Sequence, residues 1–167
     1  PTFSFLAGMS AFMAGKRRTH NELSEFLLKR GLWLIFVELT IVGFAWSFNV
    51  DFSSFGLRVI WSLGISMIFL SALIYLPRVG ILIFSLLLIC GHNFFDKVHY
   101  ADNFWWDIIH EQMVYQLTDN IQLVIGYPLV PWIAIMSLGY YFGGFYSQSF
   151  DSNKRNKIFN CIGGIAL

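Results

Sequence analysis

The chain has 167 residues, of which 56% are hydrophobic and only 13% charged, with a net charge of +1. A soluble domain of this size cannot bury so much apolar surface, and ordinary domains carry about 25% charged residues. The same values exclude a disordered chain, and the near-neutral charge gives no reason to expect a nucleic-acid partner. The composition therefore predicts a protein that is embedded in a lipid bilayer.

Long apolar runs predict the membrane-spanning elements. In chain order they are Pro1–Gly15, Gly31–Asn49, Leu57–Leu76, Val79–Phe95, Tyr127–Tyr146 and Ile158–Leu167. A continuous apolar run in lipid has to satisfy its own backbone hydrogen bonds, which a helix does. The sequence therefore predicts an all-α fold, a polytopic bundle of about six transmembrane helices.

The first and last runs are too short to cross a hydrocarbon core of about 30 Å. We therefore interpret residues 1–167 as a single membrane-embedded domain and as an internal piece of a longer chain.

The basic residues predict the orientation of this bundle. If each run crosses once, nine of the eleven Lys and Arg residues lie on one side, in the loops 16–30, 77–78 and 147–157. The positive-inside rule assigns that side to the cytoplasm. The longest loop on the outer side, Asp96–Gly126, has apolar residues near helical spacing at 105, 106, 109, 113 and 117. It predicts an amphipathic outer-surface helix, either an interfacial anchor or a lid.

Glu38 is the carboxylate that lies inside a predicted span. An ionised group at that depth costs several kcal/mol unless it is paired. Two interpretations stay open: a substrate-binding or proton-carrying group at an internal cavity, and a buried contact that locks two helices. By depth, Arg58 looks too far away to be the partner.

His92, Asn93 and Asp96 form the sharpest cluster of polar residues. His92 and Asp96 are four residues apart and share a helix face, so the carboxylate is able to orient the imidazole as a base. We predict His92 and Asp96 as catalytic residues and Asn93 as a substrate-binding residue, with a structural helix end as the alternative. His99, His110 and Glu111 add zinc-ligand residue types, but the spacing matches no standard zinc pattern, and we expect no metal.

Five segments in series resemble one family. They are PTFSFLAG from Pro1, FLLKRGLW from Phe26, WSLGISM from Trp61, GHNFFD from Gly91 and YPLVPW from Tyr127. The chain resembles the heparan-α-glucosaminide N-acetyltransferase catalytic-domain family, in its bacterial membrane branch.

The resemblance implies an integral membrane acyltransferase, in a bacterial cytoplasmic membrane, that takes acetyl-CoA as co-substrate. It implies an acetyl or acyl transfer from the cytoplasmic side to a sugar amine or hydroxyl on the outer side. The catalytic histidine of the family precedes the helix that matches Pro1–Gly15, so it cannot be assigned to a residue of this chain. Arg30, in the basic segment 16–30, is the candidate for contact with the CoA phosphates, although topology alone explains that charge.

Two other classes of function stay open. One is a transporter, or a protein that handles glycans or lipids without acyl chemistry, with Glu38 as a coupling carboxylate. The other is a structural membrane subunit whose polar residues only hold helices together. A homo-oligomer stays open for all three functions. The partners expected on the acyltransferase reading are the lipid bilayer and a glycan or amino-sugar acceptor.

Overall fold

The computed structural model describes residues 1–47, 54–95, 103–118 and 121–146, and the isolated positions 153, 156, 157, 160 and 164. The helices are α1 (Thr2–Gly15), α2 (His20–Val37), α3 (Gly43–Ser47), α4 (Val59–Leu73), α5 (Arg78–Phe95), α6 (Phe104–Ile109) and α7 (Leu129–Gly143). The strands are β1 (Ser54–Leu57), β2 (Met113–Thr118) and β3 (Ile121–Ile125). A π-helical turn, Glu38–Val42, joins α2 to α3, and a 3-10 turn, Gly144–Tyr146, follows α7.

The first basic segment is mostly helical, because α2 begins eleven residues before the apolar run at Gly31. The Thr19 side chain accepts a hydrogen bond from the Glu22 backbone amide, and the Glu22 carboxylate accepts one from the Thr19 amide. This reciprocal capping box satisfies two amides that the first turn leaves without partners. The apolar run therefore marks only the second, apolar part of a longer helix.

Glycines set the two closest helix contacts. Gly8 on α1 lies against the backbone of Met136 on α7, and Gly139 lies against the backbone of Phe5 in return. Gly31 on α2 and Gly64 on α4 make the second reciprocal contact. Small residues at a crossing let two backbones approach, which is how helices associate without a hydrophobic driving force.

The bundle has a main core where α1, α2, α4 and α7 meet, and α5 packs on α7. Leu27, Leu70 and Met136 are fully buried there. Ser66, Ser85 and Ser137 are also buried, and each donates its hydroxyl to the carbonyl four residues earlier, so these three hydroxyl groups are satisfied within their own helices.

A small sheet corrects the all-α prediction. Its strand order is β1-β3-β2, with β2 antiparallel and β1 parallel to β3. The predicted amphipathic helix over 105–117 is wrong beyond α6, because Met113–Thr118 forms a strand. The backbone groups of β2 pair with β3, and the β-branched and aromatic residues of both segments fit a pleated surface.

The lengths of the helices confirm only part of the membrane prediction. Among the described residues, one helical stretch, Leu129–Tyr146, is long and apolar enough to cross a membrane by itself. The apolar helices Thr2–Gly15, Val59–Leu73 and Arg78–His92 are shorter. Within the described residues, the first five apolar runs are confirmed as mostly helical, whereas a six-span bundle stays a prediction. The sixth run, 158–167, lies outside the described residues except at 160 and 164.

Candidate functional site

His92 lies near the end of α5, where it meets a second histidine. The ring centroids of His92 and His110 are 4.3 Å apart, and the rings meet edge to face at 66°. The His110 ring also contacts the Trp106 ring, with a centroid distance of 5.1 Å. Two imidazoles and an indole thus form one cluster, although 18 residues of sequence separate the two histidines.

Helix α6 and the sheet hold this cluster in place. The Asn103 side chain caps α6 by accepting a hydrogen bond from the Trp106 amide, and the Trp106 indole donates to the Glu111 carboxylate at 3.2 Å. Asp107 is only 2% exposed and accepts a hydrogen bond from the Tyr115 hydroxyl of β2. The hydrogen bond from Tyr115 of β2 to Asp107 therefore holds α6 in place. The Trp106 side chain of α6 then lies against the His110 ring.

A cavity of about 210 Å³ opens beside the cluster. The three rings form one part of its wall, and aliphatic side chains from α5, α6 and α7 form the rest. The site thus combines titratable groups with an apolar recess, a common arrangement in ligand-binding sites.

Two of the predicted site residues are not placed by the structure. Asp96 lies outside the described residues, and so does the side chain of Asn93. The predicted pair of His92 and Asp96 therefore stays a prediction. His110 and Trp106 are the residues of this site that the sequence analysis did not assign to it, because no local spacing connects them with His92.

Glu38 is buried to 2% exposure at the start of the π-helical turn. Its carboxylate accepts hydrogen bonds from the backbone amides of Arg58, Ile60 and Trp61, at the N-terminus of α4. The positive end of the helix dipole and its unpaired amides stabilise a carboxylate there. Oε2 of Glu38 has no hydrogen-bond partner among the described residues.

The expectation that Arg58 is too distant from Glu38 in depth is wrong. Helices α2 and α4 are antiparallel, since Ser24 bonds to the Ser71 carbonyl near one end and Glu38 contacts Trp61 near the other. From the Gly31–Gly64 crossing, Glu38 lies seven residues along α2, about 10 Å, and Arg58 lies six residues back along α4, about 9 Å. The crossing therefore brings the carboxylate level with the start of α4. These contacts favour the helix-locking interpretation of Glu38.

A second, larger cavity of about 620 Å³ lies at the opposite end of the bundle. Its cationic side chains are Lys16, Arg18 and Arg78, with His20 beside them, and its described lining contains no Asp or Glu. The Arg78 guanidinium lies 4.9 Å from the centre of the Phe12 ring, and the Lys16 ammonium lies 6.0 Å from it. An aromatic floor beneath several cations is suited to binding an anion.

Arg30, the predicted CoA contact, does not line this cavity. It is exposed on α2, with its guanidinium 5.8 Å from the centre of the Phe26 ring. Lys29 bonds to Glu25 at 2.6 Å, and this hydrogen bond and the Lys29 charge hold the pKa of the Glu25 carboxyl below its usual range. Of the Lys and Arg residues in α2 and the preceding loop, Lys16 and Arg18 line the cavity.

Among the described residues, no group of three His, Cys, Asp or Glu side chains is placed to hold a metal ion. The histidine cluster and the basic cavity are therefore the two candidate sites. Arg78 and His92 stand on the same helix, 14 residues or about 21 Å apart. One site is cationic and the other contains proton-transferring imidazoles.

Among the described residues, the bundle has one helix of membrane-spanning length and a candidate site near each end of α5. The chain belongs to the family described as heparan-alpha-glucosaminide N-acetyltransferase, catalytic, whose sequence profile matches residues 1–165. The resemblance found in the sequence is thus confirmed over nearly the whole chain. Searches of curated proteins and of solved structures give no match.

Proposed function

We propose that this protein is an integral membrane acyltransferase that moves an acetyl or other acyl group from a CoA thioester to an amine or hydroxyl group of a sugar. The observation that carries the proposal is the placement of the basic cavity and the histidine cluster at opposite ends of α5, in a chain of this family. A donor with an anionic head and a distant reactive thioester matches that placement.

The basic cavity is the proposed site of the CoA phosphates. Lys16, Arg18 and Arg78 supply cations there, and charge-assisted hydrogen bonds to phosphate are the strong ones. The positive-inside rule assigns this end to the cytoplasm, where CoA is found. Arg30, on the exposed face of α2, is a weaker candidate for the same role.

The histidine cluster is the proposed site of transfer. His92, oriented by Asp96, accepts the proton that the sugar amine or hydroxyl loses as it attacks the thioester carbonyl. The new C–N or C–O bond forms, the C–S bond breaks, and CoA leaves as the thiol after it takes up a proton. Asn93 is proposed to bind the acceptor.

The test uses membranes that contain the full-length gene product, acetyl-labelled CoA and a panel of amino sugars and envelope glycans. His92→Ala is expected to lower label transfer by about 100-fold or more, the range that a general base contributes. Phe94→Ala is the matched control, because Phe94 is on the same helix and 83% exposed. Wild-type turnover in folded His92→Ala protein would show that His92 is not the base.

The proposed role of the basic cavity in binding the CoA phosphates is tested separately. Arg78→Gln removes a cation from the cavity and is expected to raise the KM for acetyl-CoA about tenfold or more, the worth of a hydrogen bond to a charged group. Arg17→Gln is the control, since Arg17 does not line this cavity. Equal KM values in the two variants would contradict the assignment. Absence of both CoA binding and transfer in folded wild-type protein would favour a transport or structural role.

A further inference from the structure

The cavity beside the histidine cluster has a feature that the transfer chemistry does not require, a glycine in its wall. Gly91 precedes His92 on α5 and lines the cavity. A Cβ built on Gly91 meets no described heavy atom within 4 Å. Gly31, Gly64 and Gly139, by contrast, lie against the backbone of a neighbouring helix. Gly91 therefore serves no described helix contact, and a side chain at this position of the cavity wall would enter open space.

The rest of the wall is apolar. Leu87 and Leu88 precede Gly91 on α5, Ile109 comes from α6 and Val130 from α7. The volume of about 210 Å³ is below the range of about 300–1,000 Å³ that whole-ligand pockets occupy. The cavity therefore fits an apolar part of a ligand. A sugar ring, with a hydroxyl group on most carbons, would leave those groups without partners against the aliphatic side chains.

We propose that this cavity is an acyl pocket that receives the hydrocarbon chain of the donor thioester, and that Gly91 sets the longest chain accepted. The proposal rests on the acyltransferase function. The pocket adjoins His92, where the thioester carbonyl has to lie for transfer, and α5 connects it to the basic cavity about 20 Å away. An acyl chain that extends from that carbonyl has the apolar surface that the wall can bury. The preferred donor then carries a chain longer than acetyl.

The test compares acetyl-, propionyl-, butyryl- and hexanoyl-CoA as donors to one acceptor in membranes with the full-length protein. The measured quantity is the ratio of kcat/KM for each longer donor to kcat/KM for acetyl-CoA. In the wild type this ratio is expected to rise about fourfold for each methylene buried, until the pocket is full. Gly91→Ala is expected to shorten the optimum, and Gly91→Leu is expected to bring the butyryl ratio below one.

Gly80→Ala is the matched control for the glycine substitutions. Gly80 is also on α5, but it is near the basic end and a Cβ there makes an ordinary contact of 3.5 Å with Pro77. Its chain-length profile is expected to match the wild type. An unchanged profile in Gly91→Leu, with acetyl transfer intact, would overturn the acyl pocket and leave the acyltransferase function standing.

A binding measurement distinguishes a failure of the acyl-pocket proposal from a failure of the acyltransferase proposal. Trp106 lines the cavity, whereas Trp105 is 71% exposed and does not. A bromobutyryl-CoA probe is expected to quench the tryptophan fluorescence of the wild type. This quenching is expected to disappear in Trp106→Phe and in Gly91→Leu, and to persist in Trp105→Phe. Quenching without turnover would support the pocket while the transferase proposal fails. If brominated lipid tails quench Trp106 and the donor does not displace them, the pocket holds lipid and the inference is wrong.

Discussion

The contact between Gly31 and Gly64 predicts a measurable cost for a single methyl group. A Cβ on Gly31 would lie 2.6 Å from the Gly64 carbonyl oxygen and 2.8 Å from Cγ1 of Ile68. Ordinary contact begins at 3.4 Å, so α2 and α4 have to separate by about 0.8 Å (3.4 − 2.6) at the crossing. The backbone oxygen cannot rotate away as a side chain does. Overpacking of this kind costs about 1–3 kcal/mol of stability.

The gain in helix propensity from Gly to Ala works in the other direction, by roughly 0.5–1 kcal/mol. Gly80→Ala measures that gain alone, because its Cβ has room. We therefore expect Gly31→Ala to be about 1–3 kcal/mol less stable than Gly80→Ala, which is the overpacking term by itself. Reversible unfolding in mixed micelles, followed by helical circular dichroism, gives both free energies. The double variant Gly31→Ala with Gly64→Ala is expected to cost less than the sum, since both methyl groups open the same gap.

Equal stability of Gly31→Ala and Gly80→Ala would refute the reasoning, because it would mean that the two backbones are not in contact. Full additivity in the double variant would refute the shared gap in the same way.

Two further predictions concern buried polar contacts. Glu38→Ala removes the hydrogen-bond acceptor at the start of α4 and is expected to lower the free energy of unfolding by about 1–2 kcal/mol. Glu38→Gln is expected to be less affected, because it keeps a carbonyl oxygen. Loss of acyl transfer at unchanged stability would instead make Glu38 a functional residue. Tyr115→Phe deprives buried Asp107 of a hydroxyl donor and is expected to cost about 1–3 kcal/mol locally. Faster amide hydrogen exchange in β2 and β3 would report it, and unchanged exchange would contradict the role assigned to the hairpin.

The helices that hydropathy located well are those whose apolar residues form a continuous run in the sequence. The run Val79–Phe95 became α5 with a shift of one residue, and Tyr127–Tyr146 became α7 and its 3-10 turn. The start of α2 was missed because its first turns are polar, although Thr19 and Glu22 carry a capping-box signature that was present in the sequence.

The strands were missed for a different reason. Met113–Thr118 and Ile121–Ile125 are separated by two residues, which is typical of a hairpin, yet their apolar positions also fall near helical spacing. Strand β1 pairs in parallel with β3 across more than sixty residues, at the register Ser54 with Gln122. No local pattern encodes such a pairing, since its energy comes from a partner that is distant in sequence.

The candidate sites show the same difference between features encoded locally in the sequence and contacts between residues that are distant in sequence. Composition, hydropathy and motif order were enough to show that the chain is apolar and mostly helical, that it belongs to a family of membrane acetyltransferases, and that His92 is a reactive residue type near a helix end. The packing of the helices was needed to show that His110 packs against His92, that Arg78 joins Lys16 in one basic cavity, and that the Glu38 carboxylate meets the start of α4. Composition and periodicity report how each residue interacts with its solvent and its own helix. Sites arise from contacts between helices, which depend on where the glycine crossings let two backbones approach.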